Sequence, residues 1–246
     1  MACTNLDDKI TVITGGSRGI GKAIAILLAK KGANVIICAR KAEDLKIVSD
    51  LIRRDGGHCS YVVADISDEK QVDSLVEDVM RNYGRIDILV NNAGVGVYNP
   101  LIYSSLNDWE SVINTNLKGP FLCSKAFVPF MIQQKKGYII NIASGAGKVG
   151  MKNLSVYCSS KFGLIGLTKA MQKELKEFGI DVLYLCPGYV KTSFFINYPT
   201  DFQLPSNAKE PDEVAKKVLN LITHQKKIKR YFSRIIGRVL EHKICP

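Results

Sequence analysis

Short apolar runs alternate with longer amphipathic stretches along most of the chain. Ile10–Thr14, Val35–Cys38, Tyr61–Ala64, Ile88–Val90, Tyr138–Ile142 and Val182–Leu185 are rich in β-branched residues and apolar on both faces. They predict six short strands. Helical patterns fill the gaps: an Ala/Ile/Leu/Lys stretch ending near Gly32, then about Ala42 to Arg54, Glu69 to Arg81, Asp108 to Gln134 and Val156 to Phe178. Strands buried on both faces and separated by helices predict an α/β fold. The expected form is a Rossmann-type, doubly wound parallel sheet with helices on both faces and right-handed crossovers. No repeat or linker interrupts residues 1–246, so a single dinucleotide-binding and catalytic domain is expected.

Composition narrows the picture. The chain has 246 residues, 46% hydrophobic and 23% charged, which excludes disorder and low-complexity architectures. Seven cysteines lie scattered with no C-x-x-C pair, so neither a disulfide framework nor a metal site is expected. Reduced thiols and an acidic N-terminus without an apolar core predict a cytoplasmic protein without a signal peptide. No apolar run reaches the roughly 18 residues of a membrane span. The net charge is +11, of which residues 224–246 supply +6. The remaining body is too close to neutral for a nucleic-acid reader.

The first strand runs into Thr14-Gly15-Gly16-Ser17-Arg18-Gly19-Ile20-Gly21, and a helix follows. Glycines let a backbone approach a pyrophosphate, and a helix N-terminus offers it unpaired N–H groups. The loop does not close in Gly-Lys-Ser/Thr, which disfavours ATP. An NAD-type site usually carries an acid after the second strand. Here that position reads Cys38-Ala39-Arg40-Lys41. Arg40 and Arg18 instead suit a 2′-phosphate, so NADP(H) is the expected cofactor.

Tyr157 and Lys161 are separated by one helical turn and share a face. A neighbouring ammonium stabilises a phenolate and predicts a lowered tyrosine pKa, making Tyr157 a general acid/base. The same spacing also arises as a plain helix-surface contact. Ser144 follows the fifth strand, where its hydroxyl can hold a substrate carbonyl. Asn116 falls on a helix stripe formed by Trp109, Val112, Ile113, Leu117 and Phe121. Four residues later, Pro120 has no N–H to bond the Asn116 carbonyl, which predicts a free acceptor.

Taken together, these motifs resemble the short-chain dehydrogenase/reductase family over roughly residues 8 to 195. The resemblance rests on the glycine loop, Asp65, Asn91-Asn92-Ala93-Gly94, Asn116, Ser144, Tyr157-x-x-x-Lys161 and Pro187-Gly188-x-Val190-x-Thr192. It implies a cofactor site built from Gly15, Ser17, Arg18, Gly19, Ile20, Gly21, Arg40, Asp65, Ile66, Asn92, Ala93, Gly94, Tyr157, Lys161, Pro187, Gly188, Val190 and Thr192. Asp65 would meet the adenine region, Lys161 the nicotinamide ribose, and Pro187 to Thr192 would cover the nicotinamide. Asn116, Ser144, Tyr157 and Lys161 would form the catalytic set, with Asn116 holding a water beside Lys161. The family also implies a homodimer or homotetramer.

The first three quarters look most like 3-oxoacyl-acyl-carrier-protein reductases, but the end lacks their glycine-rich final strand. A helix is expected from Pro211 to about His224, then a basic amphipathic extension over 225–246. That extension has three open readings: packing on a subunit, contact with an anionic membrane surface, or attraction of an acidic carrier. Residues 194–209, with Phe194, Phe195, Tyr198 and Phe202, are expected to form a substrate lid. The expected function is therefore an NADPH-dependent carbonyl reductase, with 3-oxoacyl thioesters as first substrate class. Reduction of a lipid or steroid-like ketone at a membrane, and a non-catalytic dinucleotide sensor or scaffold, are the alternatives.

Overall fold

Aliphatic and β-branched residues fill the strands, and this computed structural model, which describes residues 6–196, 198 and 202–223, lays them into one parallel sheet. The strands are β1 (Ile10–Thr14), β2 (Asn34–Ala39), β3 (His58–Val63), β4 (Ile88–Asn91), β5 (Gly137–Ile142) and β6 (Ile180–Leu185). Their order is β3-β2-β1-β4-β5-β6, all parallel. The order reverses between β1 and β4, which pair through Val12 and Leu89. A crevice opens outside the carboxyl ends of the strands at such a point. The expected doubly wound fold is thus present as one domain.

Successive strand residues point to opposite faces, and both faces are covered. On one, Ile13, Val35, Ile37, Val90 and Ile140 meet α1 (Gly19–Ala29), α2 (Ala42–Arg54) and a helix over 211–223 (α7). On the other, Val12, Ile36, Leu89 and Ile139 meet α3 (Glu69–Tyr83), α5 (Gly119–Gln133) and α6 (Ser155–Glu174). Phe127, Ile24, Leu28 and Leu75 are among the largest fully buried side chains. Each contributes about 1.5–3 kcal/mol of transfer free energy. β3 begins at His58, earlier than its apolar run suggested, because this edge strand alternates exposed and buried positions.

The single helix expected from Asp108 to Gln134 is interrupted. It consists of α4 (Leu106–Ile113), a π-helical turn over Asn114–Lys118, and α5. The Gly119 N–H reaches back to the Asn114 carbonyl, an i→i+5 bond. Pro120 cannot donate to the turn before it, which favours the wider turn. The expected buried stripe changes accordingly. Val112 and Asn116 are fully buried, but Phe121 is 46% exposed and Trp109 44%. The extra residue in the π turn shifts the helix phase, and buried Pro120 and Leu122 replace Phe121. No described residue covers the outer part of Trp109.

Candidate active site

β1 delivers Thr14 to the crevice, and the chain then turns through Gly15 and Gly19 with φ of +65° and +53°. These left-handed angles favour glycine. A Cβ on Gly15 would also lie 2.8 Å from Ala93 Cα. Gly21 packs beneath the loop, leaving no room for a Cβ against the Gly15 carbonyl and the Asn92 amide. α1 starts at Gly19 without a side-chain cap, so its first N–H groups are free to receive an anion. The loop is tied to β4. Asn92 Nδ2 donates to the carbonyls of Thr14 at 3.0 Å and Gly15 at 3.1 Å. The backbone N–H groups of Asn92 and Ala93 each donate to Thr14 Oγ1 at 3.1 Å. The Asn92 amide therefore organises the glycine loop, while the Asn92-Ala93-Gly94 turn itself lines the cavity.

A cavity of about 490 Å³ runs across the carboxyl ends of the strands. Every residue expected at the cofactor site lines it except Gly21, and Ser144 lines it too. Asn116 stands behind the wall. At the β2 end, Arg40 Nη1 lies 3.9 Å from Asp65 Oδ2. The other Asp65 oxygen accepts from Ser67 N at 2.9 Å and Ser67 Oγ at 2.7 Å. Phe194 of the expected lid faces the cavity, and so do Lys41, Asp44 and Thr115, which were not anticipated there. Thr115 is turned toward it by the π turn, which only the Pro120 position hinted at.

At the β5 end the expected catalytic side chains converge. Ser144 Oγ accepts from Ala146 N at 3.2 Å. Lys161 Nζ donates to the Ile142 carbonyl at 3.0 Å and lies 5.7 Å from the centroid of the Tyr157 ring. The loop after β5 packs directly on α6 at Gly147, where a Cβ would meet the Lys161 carbonyl carbon and oxygen at under 3.0 Å. Burial pushes the Lys161 ammonium down to about 8. Burial also pushes the Tyr157 hydroxyl up to about 12, against an opposing hydrogen bond with Ser144. At Tyr157 loss of solvent is the largest influence on the hydroxyl, and it acts in the opposite direction to the acidification expected from Lys161.

Asn116 is fully buried. Its Nδ2 donates to the Val95 carbonyl and its Oδ1 accepts from Val95 N, both at 2.8 Å. Nδ2 also reaches Ser160 Oγ at 3.1 Å. The side chain is fully committed, so the water-holding role expected of Asn116 could fall only to its backbone carbonyl, to which Pro120 cannot donate. Gly163 accommodates Leu117 of the same chain, since a Cβ there would lie 2.8 Å from Leu117 Cδ2.

The segment after Val190 bears on the site. Phe194 packs its ring 5.6 Å from that of Tyr157. Tyr98, Tyr198 and Phe202 extend the aromatic cluster. Positions 197 and 199–201 of the expected lid lie outside the described residues, as does the basic extension over 225–246. Among the described residues, no group of three His, Cys, Asp or Glu forms a metal site, and no helix is long and apolar enough to cross a membrane.

The short chain dehydrogenase family profile matches residues 9–201. The chain belongs to that family. This short chain dehydrogenase is 37% identical over 226 residues to a 3-oxoacyl-[acyl-carrier-protein] reductase of Synechocystis sp., covering 89% of this chain and 91% of the relative. It is similar to a metagenomic short-chain oxidoreductase solved in complex with NADP: TM-score 0.79, identity 37%, with 89% of this chain and 92% of that one covered. It is also similar to a variant of actinorhodin polyketide ketoreductase solved with NADPH. There the TM-score is 0.82 and the identity 32%, covering 87% of this chain and 90% of the other.

The residues present fit a dinucleotide. The glycine cradle excludes Cβ atoms, the α1 N-terminus lacks a side-chain cap, and guanidinium groups stand at the β2 end.

Proposed function

We propose that this short chain dehydrogenase is an NADPH-dependent carbonyl reductase whose first substrate class is 3-oxoacyl thioesters. One observation carries the reading. Ser144, Tyr157 and Lys161 converge on one end of the cavity whose other end presents Arg40. The relatives named above act on, or were solved with, the corresponding ligands. Arg18 and Arg40 would hold the 2′-phosphate, and the α1 N-terminus the diphosphate.

NADPH supplies a hydride when bound. Ser144 and Tyr157 hydrogen-bond the substrate carbonyl oxygen and stabilise its developing charge. Tyr157, kept protonated by burial, donates its proton to that oxygen. Lys161, oriented by the Ile142 carbonyl, supports the charge left on Tyr157. The Asn116 carbonyl, to which Pro120 cannot donate, holds a water that returns a proton toward Lys161. Residues 194–209 serve as a lid, and 225–246 as a basic extension that contacts a subunit, carrier or anionic surface. The exposed Trp109, Phe121 and Phe162 support assembly into a homodimer or homotetramer, and the cytoplasm is the proposed location.

The aromatic cluster around Tyr157 favours a second reading, an apolar lipid or steroid-like ketone. Both are tested by NADPH oxidation with 3-oxoacyl N-acetylcysteamine thioesters and cyclic ketones. Turnover of the thioesters supports the first reading. Turnover of ring ketones alone moves the assignment to the second. Full activity in Tyr157→Phe removes the mechanism.

A further inference from the structure

Phe194 lines the same cavity as Ser144, Tyr157 and Lys161, and its side chain is held in place. Its backbone N–H donates to Thr192 Oγ1 at 3.3 Å. Thr192 in turn rests on the glycine loop, with Cγ2 3.1 Å from where a Cβ on Gly19 would lie. Three rings surround the Phe194 ring. Tyr157 lies 5.6 Å away between centroids, Phe195 edge-on at 5.2 Å and Tyr198 at 6.2 Å. At such spacings rings touch directly, and no further group fits between them.

The tip of the Phe194 ring sits on Gly96. A Cβ there would meet Phe194 Cζ at 2.5 Å and Cε1 at 2.9 Å. The backbone at Gly96 is not left-handed, so the turn itself does not call for glycine, but the seat for the ring does. Two residues earlier, Gly94 faces Lys161, whose Nζ lies 3.7 Å from the Cβ position of Gly94. Two residue steps span at most about 7 Å. The ring tip is therefore within a short acyl group's reach of the catalytic side chains. The two substituents of a carbonyl carbon held by Ser144 and Tyr157 diverge, and only one can turn away from Phe194.

We propose that Phe194, seated on Gly96, sets the size of the substrate: the site takes ketones with one small substituent on the carbonyl carbon, so four-carbon 3-oxoacyl chains are preferred to longer ones. This rests on the carbonyl-reductase reading and narrows its substrate class.

The test measures reduction by NADPH of two pairs of ketones. One pair is 2-octanone and 4-octanone, isomers that differ only in carbonyl position. The other is the 3-oxobutanoyl and 3-oxooctanoyl N-acetylcysteamine thioesters. Wild type is expected to favour the first member of each pair about tenfold in kcat/KM. Phe194→Ala removes most of that preference and Phe194→Leu part of it, with NADPH affinity unchanged and folding confirmed by thermal melting. Phe202→Ala, which removes a ring stacked on Phe195 at 5.4 Å, keeps the wild-type ratio. An equal loss in Phe202→Ala would overturn the proposal and assign the effect to a loosened lid. A ratio near one in wild type, or a ratio unchanged in Phe194→Ala, would overturn it as well. Turnover of the octanones in the expected ratio, with neither thioester reduced, upholds the role of Phe194 and counts against the thioester reading alone.

Discussion

Asn116 and Val95 exchange two hydrogen bonds of 2.8 Å, side-chain amide against backbone in both directions. This pairing fixes the segment that follows Gly94 to the π turn of the neighbouring helix. Asn116→Ala strands both Val95 groups in a partly buried place, at about 1–3 kcal/mol for each unsatisfied group. Melting temperature and turnover are expected to fall together in that variant. Pro120→Ala separates the two effects. It restores an N–H able to occupy the Asn116 carbonyl, so kcat for reduction should fall about tenfold if one water contact is lost. Melting temperature should hold or rise. Unchanged kcat in Pro120→Ala would remove the backbone carbonyl from the mechanism.

Cofactor choice should rest on Arg40. Its guanidinium is 65% exposed and lies 3.9 Å from Asp65, so a 2′-phosphate can reach it without breaking a tight pair. Arg40→Ala is expected to weaken NADPH binding about tenfold while leaving NADH binding nearly unchanged. Isothermal titration with both nucleotides measures this. Equal losses for the two would show that Arg40 does not read the phosphate.

The pH profile should report Lys161 rather than Tyr157. Burial lowers the Lys161 ammonium from 10.5 to about 8. Burial raises the Tyr157 hydroxyl to about 12, so that proton stays in place through neutral and mildly alkaline pH. Reduction needs both groups protonated. Its kcat is therefore expected to decline as pH rises through about 8. Lys161→Arg keeps the charge and should flatten this limb, at a lower plateau. A wild-type profile flat to above pH 10 would contradict the assignment.

The core was legible because strands buried on both faces leave continuous β-branched runs, as at Ile10–Thr14 and Tyr138–Ile142. The edge strand was less so, since His58 and Ser60 break its apolar run while still pairing with β2. The meeting of Tyr157 and Lys161 at the cavity was readable because they share one helix and need only helical geometry to approach. The Asn116 partner was not, because Val95 contributes backbone groups that carry no side-chain signature. Pro120 disclosed a missing N–H but not the π turn that answers it. Nor did spacing reveal how strongly burial acts on Tyr157, since desolvation depends on what the fold places around the pair.

Away from the site, Asp87 should govern acid stability. It precedes β4 at the amino ends of the strands, with its side chain only 4% exposed. Burial alone would push its carboxyl up. Lys9 Nζ at 2.9 Å, Arg85 Nη2 at 2.6 Å and Ile10 N at 3.1 Å outweigh that and hold it below its ordinary value. A carboxylate lowered in the folded state adds stability above its unfolded pKa of about 3.9 and loses it as pH falls through the folded value. Asp87→Ala removes one partner of a buried cluster and leaves an N–H unpaired, at a cost of about 3 kcal/mol near neutral pH. For a domain of this size, that lowers the melting temperature by about 9 °C. The gap between wild type and variant should narrow as pH drops below about 4, while kcat below the melting range stays unchanged. A gap independent of pH would mean that packing, rather than the charge of Asp87, supplies the difference.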